Sequence, residues 1–137
     1  MPSETPAPKT PVRRPLSPHL QIYKPQITSA TSILHRITGV GLSVGILIAV
    51  AWLAALAGGE ESYAVFLALA RMPVAQIILF ALTAALFYHL LNGIRHLFWD
   101  AGIGLEIKTA VRWGYLVLFG AIVLTVFVWL KIYGVAP

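Results

Sequence analysis

Three long uncharged apolar runs constrain this chain more than any other feature of its sequence. The clearest extends from Ile37 to Ala57, 21 residues without a charged side chain, and about 20 apolar residues cross the ~30 Å hydrocarbon core of a bilayer as a helix. Val74–Leu91 and Trp113–Leu130 are the second and third runs. Backbone polar groups inside lipid must be hydrogen-bonded within their own segment, which a helix achieves. The sequence therefore predicts an all-α membrane protein with three transmembrane helices.

The boundaries follow from the residues that interrupt these runs. The predicted helices cover about residues 32–57, 73–99 and 110–133, within a membrane anchor domain of residues 19–137. Residues 62–72 are apolar but short, and they predict an interfacial helix. Residues 1–18 hold six of the nine prolines, so they predict an extended proline-rich cytoplasmic arm.

Composition and charge exclude several kinds of function. The chain has no cysteine, which rules out disulfide, zinc-thiolate, iron–sulfur and thiol-nucleophile chemistry within it. The net charge of +5 is explained by membrane orientation, and no nucleic-acid partner is expected. With three spans, eight of the ten basic residues lie on the same side of the membrane as the amino terminus, and the other two lie on the opposite side. This asymmetry predicts that the amino terminus is cytoplasmic, or faces the matrix in an organelle.

The second predicted span carries polar side chains that require an explanation. At 3.6 residues per turn they form two adjacent stripes, one of His89, Gly93, His96 and Asp100 and the other of Tyr88, Asn92, Arg95 and Trp99. His89 lies roughly 24 Å along the helix from Pro73, still within the hydrocarbon. Such a histidine is either a haem ligand or a hydrogen-bonded packing residue. Gly93, one turn away, would leave a flat surface for a large planar group.

The beginning of the first span carries a second polar group. Ser32, His35 and Arg36 share one helical face. They are either an interfacial helix cap with a snorkelling arginine or a donor-rich pocket that binds a quinone oxygen or a haem propionate. Consecutive spans are antiparallel, which predicts that these side chains converge in one layer with His89, Arg95, His96 and Asp100. Arg95 and Asp100 are expected to pair with other charges in that layer.

Two further inferences concern neighbouring helices. The third span has no histidine, and His35 and His96 are expected to lie too near the interface to face His89 across a haem. If a haem iron has two histidine ligands here, the second should therefore come from another polypeptide. Gly41 and Gly45 are spaced as GxxxG and permit close approach of a helix, from within the chain or from a partner.

Two segments resemble the signatures of the cytochrome b subunit of succinate dehydrogenase, the larger membrane anchor of respiratory complex II. The segments are RPLSPHLQIYKPQITSATSILHRITG, from Arg14 to Gly39, and HLLNGIRHLFWD, from His89 to Asp100. The resemblance covers nearly everything from Arg14 to the end. It implies that the chain catalyses nothing alone and forms half of a heterodimeric haem-binding helix bundle, in which the second small anchor subunit supplies the other haem ligand.

The resemblance also implies roles for individual residues. Ser32 and Arg36 would bind ubiquinone, with Ile33 as an apolar wall. His89 would be one axial ligand of the iron of haem b. His35 and His96 would lie near the haem propionates together with Arg36.

The implied partners are a flavoprotein subunit, an iron–sulfur subunit, the second small anchor subunit and membrane lipid. The expected location is the bacterial inner membrane, with the mitochondrial inner membrane as the alternative. Three other interpretations stay open: a fumarate reductase anchor that uses menaquinone, a small transporter or proton-relay subunit, and a scaffold without a cofactor.

Overall fold

The computed structural model of the protein describes residues 24–135, and over this range it contains helices and no strands. In chain order the helices are α1 (Ile27–Ala57), α2 (Glu60–Ala70), α3 (Pro73–Asp100) and α4 (Ile107–Val135). Of these, α1, α3 and α4 are long and apolar enough to cross a membrane. The prediction of an all-α protein with three transmembrane helices is therefore confirmed. The proline-rich arm of residues 1–18 lies outside the described residues.

Helix α1 begins at Ile27, earlier than the position near residue 32 that the sequence predicts. The additional turn is held by Thr31, which is 1% exposed and whose hydroxyl donates to the Thr28 carbonyl at 3.1 Å. With 31 residues, α1 is about 46 Å long. It is longer than the ~30 Å hydrocarbon core, so part of it lies in the headgroup region or is accommodated by tilt.

Helix α2 occupies the connection between the first two long helices. Its 11 residues extend about 16 Å, which is too short to span a bilayer. Gly59 joins it to α1 with φ of 92° and ψ of −175°, a backbone conformation that is essentially restricted to glycine. Pro73 is the first residue of α3. Its lack of a backbone N–H costs no hydrogen bond there, because N–H groups of the first helical turn have no partner within the helix.

The bundle is organised around α3, which packs more extensively on α1 and on α4 than those two helices pack on each other. α1 and α3 are antiparallel, since His35 lies beside His89 while Gly45 lies beside Leu82. Gly45 therefore serves packing within this chain, and a Cβ on Gly41 would contact nothing within 4 Å.

Few side chains are buried inside the described bundle. The buried apolar residues are Tyr88, Ala110, Val117 and Ala121, and the buried polar residues are Thr31, Asn92, Arg95 and Thr125. Large apolar side chains such as Leu47 and Phe119, each 68% exposed, project outward instead. This arrangement suits a protein whose surroundings are lipid, because the outward apolar surface then meets acyl chains.

We expect Gly59→Ala to destabilise the connection between α1 and α2. A side chain in this backbone conformation costs about 1–3 kcal/mol, and the comparison variant Gly41→Ala places its Cβ in open space in a helical conformation. Denaturation of the purified protein in detergent micelles would measure the difference. Equal stability of the two variants would contradict the assignment of strain to Gly59.

Candidate functional site

The polar side chains of α3 divide between two clusters. Tyr88, Asn92 and Arg95 are buried between the helices, whereas His89 and His96 are half-buried against α1. We refer to His35, His89 and His96 as the histidine cluster. The arginine cluster consists of Thr31, Tyr88, Asn92, Arg95 and Trp99. The two clusters correspond to the two stripes that the sequence predicts on α3. They meet at Trp99, which contacts both His96 and Arg95.

Stacking of two imidazole rings is the main contact in the histidine cluster. The ring centroids of His35 and His89 are 3.8 Å apart and the ring planes are inclined by 11°. The ring of His96 lies 5.3 Å from that of His35 and packs edge-on against Trp99 at 5.1 Å. Because His35 covers one flat side of His89, these two rings cannot approach a single iron from opposite sides in this arrangement.

Hydrogen bonding at the Nδ1 atom of His89 determines which ring nitrogen is free. Nδ1 lies 3.1 Å from the His35 carbonyl oxygen and 3.3 Å from Oγ1 of Thr38. The Thr38 hydroxyl lies 2.9 Å from the carbonyls of both Leu34 and His35, so its hydrogen is directed to its own helix. A carbonyl can only accept, and these contacts therefore favour a proton on Nδ1 of His89. Nε2 then carries the lone pair that a metal ion would use.

Two glycines lie near His89: Gly39 on the neighbouring helix α1, and Gly93 one turn further along α3. A Cβ on Gly39 would lie 3.1 Å from Cε1 of His89, so the absence of a side chain on α1 lets the ring approach closely. A Cβ on Gly93 would meet nothing within 4 Å. The surface one turn from His89 is thus open within the described chain, as the sequence predicts. Thr38 and Gly39 were not predicted to belong to the site, although their spacing of three and four from His35 places them on its helical face.

Arg95 links three helices through uncharged partners. Its Nη1 donates to Oγ1 of Thr31 at 3.0 Å and to Oδ1 of Asn92 at 3.1 Å, and its Nη2 donates to the Ala110 carbonyl at 3.0 Å. Its guanidinium carbon lies 4.1 Å from the centroid of the Trp99 ring, a cation–π geometry. Tyr88 adds a hydrogen bond of 2.6 Å to the Thr31 carbonyl.

The prediction that Arg95 and Asp100 pair with other charges is wrong for residues 24–135. Arg95 is 3% exposed and its hydrogen-bond partners are neutral, while Asp100 is exposed and forms no ion pair there. The physical reason is helical position. Arg95 faces the interior between α1 and α4, where hydroxyl, amide and carbonyl oxygens surround it, whereas Asp100 ends α3 at the surface.

Ser32, Ile33 and Arg36 lie on the flank of α1 beside the histidine cluster. Ser32 is half-buried, and Ile33 and Arg36 are exposed. Neither the Ser32 hydroxyl nor the Arg36 guanidinium has a hydrogen-bond partner among the described residues. Both groups are therefore available as donors to a molecule outside this chain.

Comparison with known proteins assigns the chain to a family. The sequence profile of the succinate dehydrogenase/fumarate reductase transmembrane subunit family matches residues 10–128. The chain belongs to this family. The matched range includes both motifs that carry the resemblance, and the resemblance is confirmed.

Relatives of this succinate dehydrogenase/fumarate reductase subunit cover most of its length. It is 50% identical over 117 residues to a protein named succinate dehydrogenase cytochrome b556 subunit of Rickettsia conorii, covering 85% of this chain and 91% of the relative. The cytochrome b556 subunit of Paracoccus denitrificans is 44% identical over 113 residues, with coverages of 82% and 87%. The cytochrome b560 subunit of Reclinomonas americana is 40% identical over 124 residues, with coverages of 87% and 86%.

The donor set of this family member suits a haem better than a bare metal ion. Among residues 24–135 no three histidine, cysteine, aspartate or glutamate side chains are grouped as metal ligands. A haem requires only axial ligands from protein because the porphyrin supplies four nitrogens. His89, with Nδ1 hydrogen-bonded and Nε2 left as the coordinating atom, fits that requirement.

We expect Arg95→Ala to destabilise the bundle by about 3 kcal/mol or more, because Thr31, Asn92 and the Ala110 carbonyl each lose a buried partner. Arg112→Ala is the matched control, since Arg112 is an exposed arginine on α4. Denaturation in detergent micelles measures both variants. A stability of Arg95→Ala equal to that of Arg112→Ala would show that the arginine cluster does not hold the helices together.

Proposed function

We propose that this chain is the cytochrome b membrane anchor of a succinate dehydrogenase, which binds haem b through His89 and contributes to the site where ubiquinone is reduced. The observation that carries this proposal is the geometry of His89, whose Nδ1 is hydrogen-bonded to the His35 carbonyl, together with the open space at Gly93 one turn further along α3. The names of the three relatives, all succinate dehydrogenase subunits, support the choice of enzyme.

The hydrogen bonding of His89 supports its role as a haem ligand. Nε2 of His89 would hold the haem iron, and the Nδ1 proton donated to the His35 carbonyl would make the ring a stronger electron donor. Because the His35 ring lies side by side with that of His89, His35 would not hold the same iron from the other side, and we assign a second histidine ligand to the second small anchor subunit. Haem b supplies one-electron redox chemistry when bound.

His35, His96 and Arg36 would bind the haem propionates. His35 and His96 have ring nitrogens that can donate to a carboxylate, and the exposed Arg36 adds a positive charge on the same side of α1. These side chains would position the propionates and reduce the cost of placing their charge near the membrane.

The quinone site uses the flank of α1. Reduction of ubiquinone to ubiquinol takes up two electrons and two protons, and negative charge develops on the quinone oxygens when an electron arrives first. The Ser32 hydroxyl and the Arg36 guanidinium donate hydrogen bonds to that oxygen, and Ile33 contacts the apolar part of the ring. The iron–sulfur subunit delivers the electrons that the flavoprotein subunit removes from succinate.

The orientation of the anchor follows from charge. With eight basic residues on the amino-terminal side and two on the other, the amino terminus faces the cytoplasm of a bacterium. The flavoprotein and iron–sulfur subunits bind on that face, where the histidine cluster and Ser32 also lie. The inner membrane is therefore the location we propose.

We expect His89→Ala to remove the b-type absorbance of the assembled complex, because the iron loses an axial nitrogen. A reduced-minus-oxidised spectrum of purified membranes measures this loss. Leu90→Ala is the matched control, as Leu90 is the next residue on α3 and is exposed. Retention of an unchanged spectrum by His89→Ala would assign ligation to another residue.

We expect Ser32→Ala to slow quinone reduction by about fivefold, the equivalent of ~1 kcal/mol for a neutral hydrogen bond. Arg36→Ala should slow it by about 10-fold or more, since charge-assisted bonds are stronger. Succinate oxidation with an artificial soluble acceptor should stay unchanged in both variants.

Ser43→Ala is the control for these two variants, since the Ser43 hydroxyl donates to the Gly39 carbonyl within α1. Its quinone reductase rate should match that of the unsubstituted complex. Loss of both activities in the Ser32 or Arg36 variant would indicate failed assembly, and full quinone reduction in both would contradict the proposed site.

A further inference from the structure

We propose that Thr38 and Gly39 of α1 are positioning residues that fix the plane and the tautomer of the His89 imidazole, and that they thereby set the retention and electronic properties of the haem. This inference rests on the proposed role of His89 as the axial ligand. We refer to Thr38, Gly39 and the backbone carbonyl of His35 as the orienting site.

The first element of the orienting site is a shared hydrogen bond. Nδ1 of His89 faces two acceptors, the His35 carbonyl oxygen at 3.1 Å and Oγ1 of Thr38 at 3.3 Å. Since the Thr38 hydroxyl hydrogen is directed to a carbonyl of its own helix at 2.9 Å, the lone pairs of Oγ1 remain for the Nδ1 proton. Two acceptors on one side of the ring favour the tautomer with Nδ1 protonated and resist rotation of the ring about its Cβ–Cγ bond.

The second element is steric. At Gly39 a Cβ would lie 3.1 Å from Cε1 and 3.7 Å from Nδ1 of His89, so the ring rests directly on the backbone of α1. The nearer of these separations is tighter than ordinary van der Waals contact. A methyl group at this position would require the imidazole to move by a few tenths of an ångström, away from the backbone of α1.

The third element is the ring of His35, which lies flat on His89 with a centroid separation of 3.8 Å. Residues of α1 thus limit the movement of the His89 ring through three contacts: hydrogen bonds from Nδ1, a backbone contact at Gly39 and stacking by His35. A ligand held in this way keeps one orientation relative to the porphyrin. Groups that orient a metal-bound histidine typically change metal affinity or activity about 10- to 100-fold when they are removed.

The chain offers matched comparisons for both positions. Gly41 is on the same helix two residues beyond Gly39, and a Cβ there would contact nothing within 4 Å. Thr83 is on α3, and its hydroxyl donates to the Leu79 carbonyl at 2.7 Å. Thr38 and Thr83 therefore share the bond to a helix carbonyl, and only Thr38 also contacts His89.

The experiment compares Gly39→Ala with Gly41→Ala, and Thr38→Val with Thr83→Val, in the complete complex. Three quantities are measured: the haem-to-flavin ratio, the midpoint potential of the haem, and the electron paramagnetic resonance spectrum of the oxidised haem. The spectrum depends on the relative orientation of the two axial imidazole planes, so it reports ring rotation that a general loss of stability would not produce. Succinate oxidation with a soluble acceptor verifies assembly.

We expect Gly39→Ala and Thr38→Val each to shift the low-field resonance and the midpoint potential, and to weaken haem retention by about 10-fold. Gly41→Ala and Thr83→Val should match the unsubstituted complex. If Gly39→Ala does not assemble, Thr38→Val still tests the site, because it removes one hydroxyl and keeps the side-chain shape.

The inference is overturned if Thr38→Val, and Gly39→Ala where it assembles, retain the resonance and the midpoint potential of the unsubstituted complex. If that result accompanies loss of the haem in His89→Ala, the orienting site fails and the proposed function stands. Retention of the b-type spectrum by His89→Ala would instead overturn the proposed ligation itself, and the orienting site with it.

Discussion

The bundle depends on one buried arginine. In a bilayer the hydrophobic effect does not drive helices together, because acyl chains are as apolar as leucine side chains, so close packing and hydrogen bonds between helices must hold the bundle. Arg95 supplies both at a point where three helices meet, through Thr31 on α1, Asn92 on α3 and the Ala110 carbonyl on α4. Its charge is dispersed over neutral oxygens and the face of Trp99.

This use of Arg95 determines what the rest of α3 can do. Once the stripe of Tyr88, Asn92 and Arg95 faces the interior, the adjacent stripe of His89, Gly93 and His96 must face α1 and the open side of the bundle. The histidines are thus kept near a surface that another polypeptide can cover, and α1 contributes the groups that orient His89. Structural and ligand-binding polar residues share one helix without competing for the same space.

The sequence predicted the individual residues of the candidate site better than their grouping. The sequence predicts that His89, His35 and His96 converge near one face of the bilayer, because the start of one helix and the end of the next meet there, and the ring contacts agree. The prediction that Arg95 and Asp100 pair with other charges is wrong for residues 24–135, because the depth of a residue does not determine which side of the helix it faces or which groups surround it there. Thr38 and Gly39 were missed, because a threonine and a glycine in an apolar helix look like packing residues until their neighbour is known.

By itself the sequence determined the three membrane-spanning helices, the short connecting helix and the family. Uncharged runs of this length have one stable conformation in lipid, and the two motifs are long enough to be specific. Only the tertiary structure decided that Arg95 has neutral partners, that His35 stacks on His89, and that α1 extends to Ile27. The physical reason is that these outcomes depend on how the helices are rotated about their axes. Rotation is set by contacts between residues such as Thr31 and Tyr88, which are 57 positions apart in the chain.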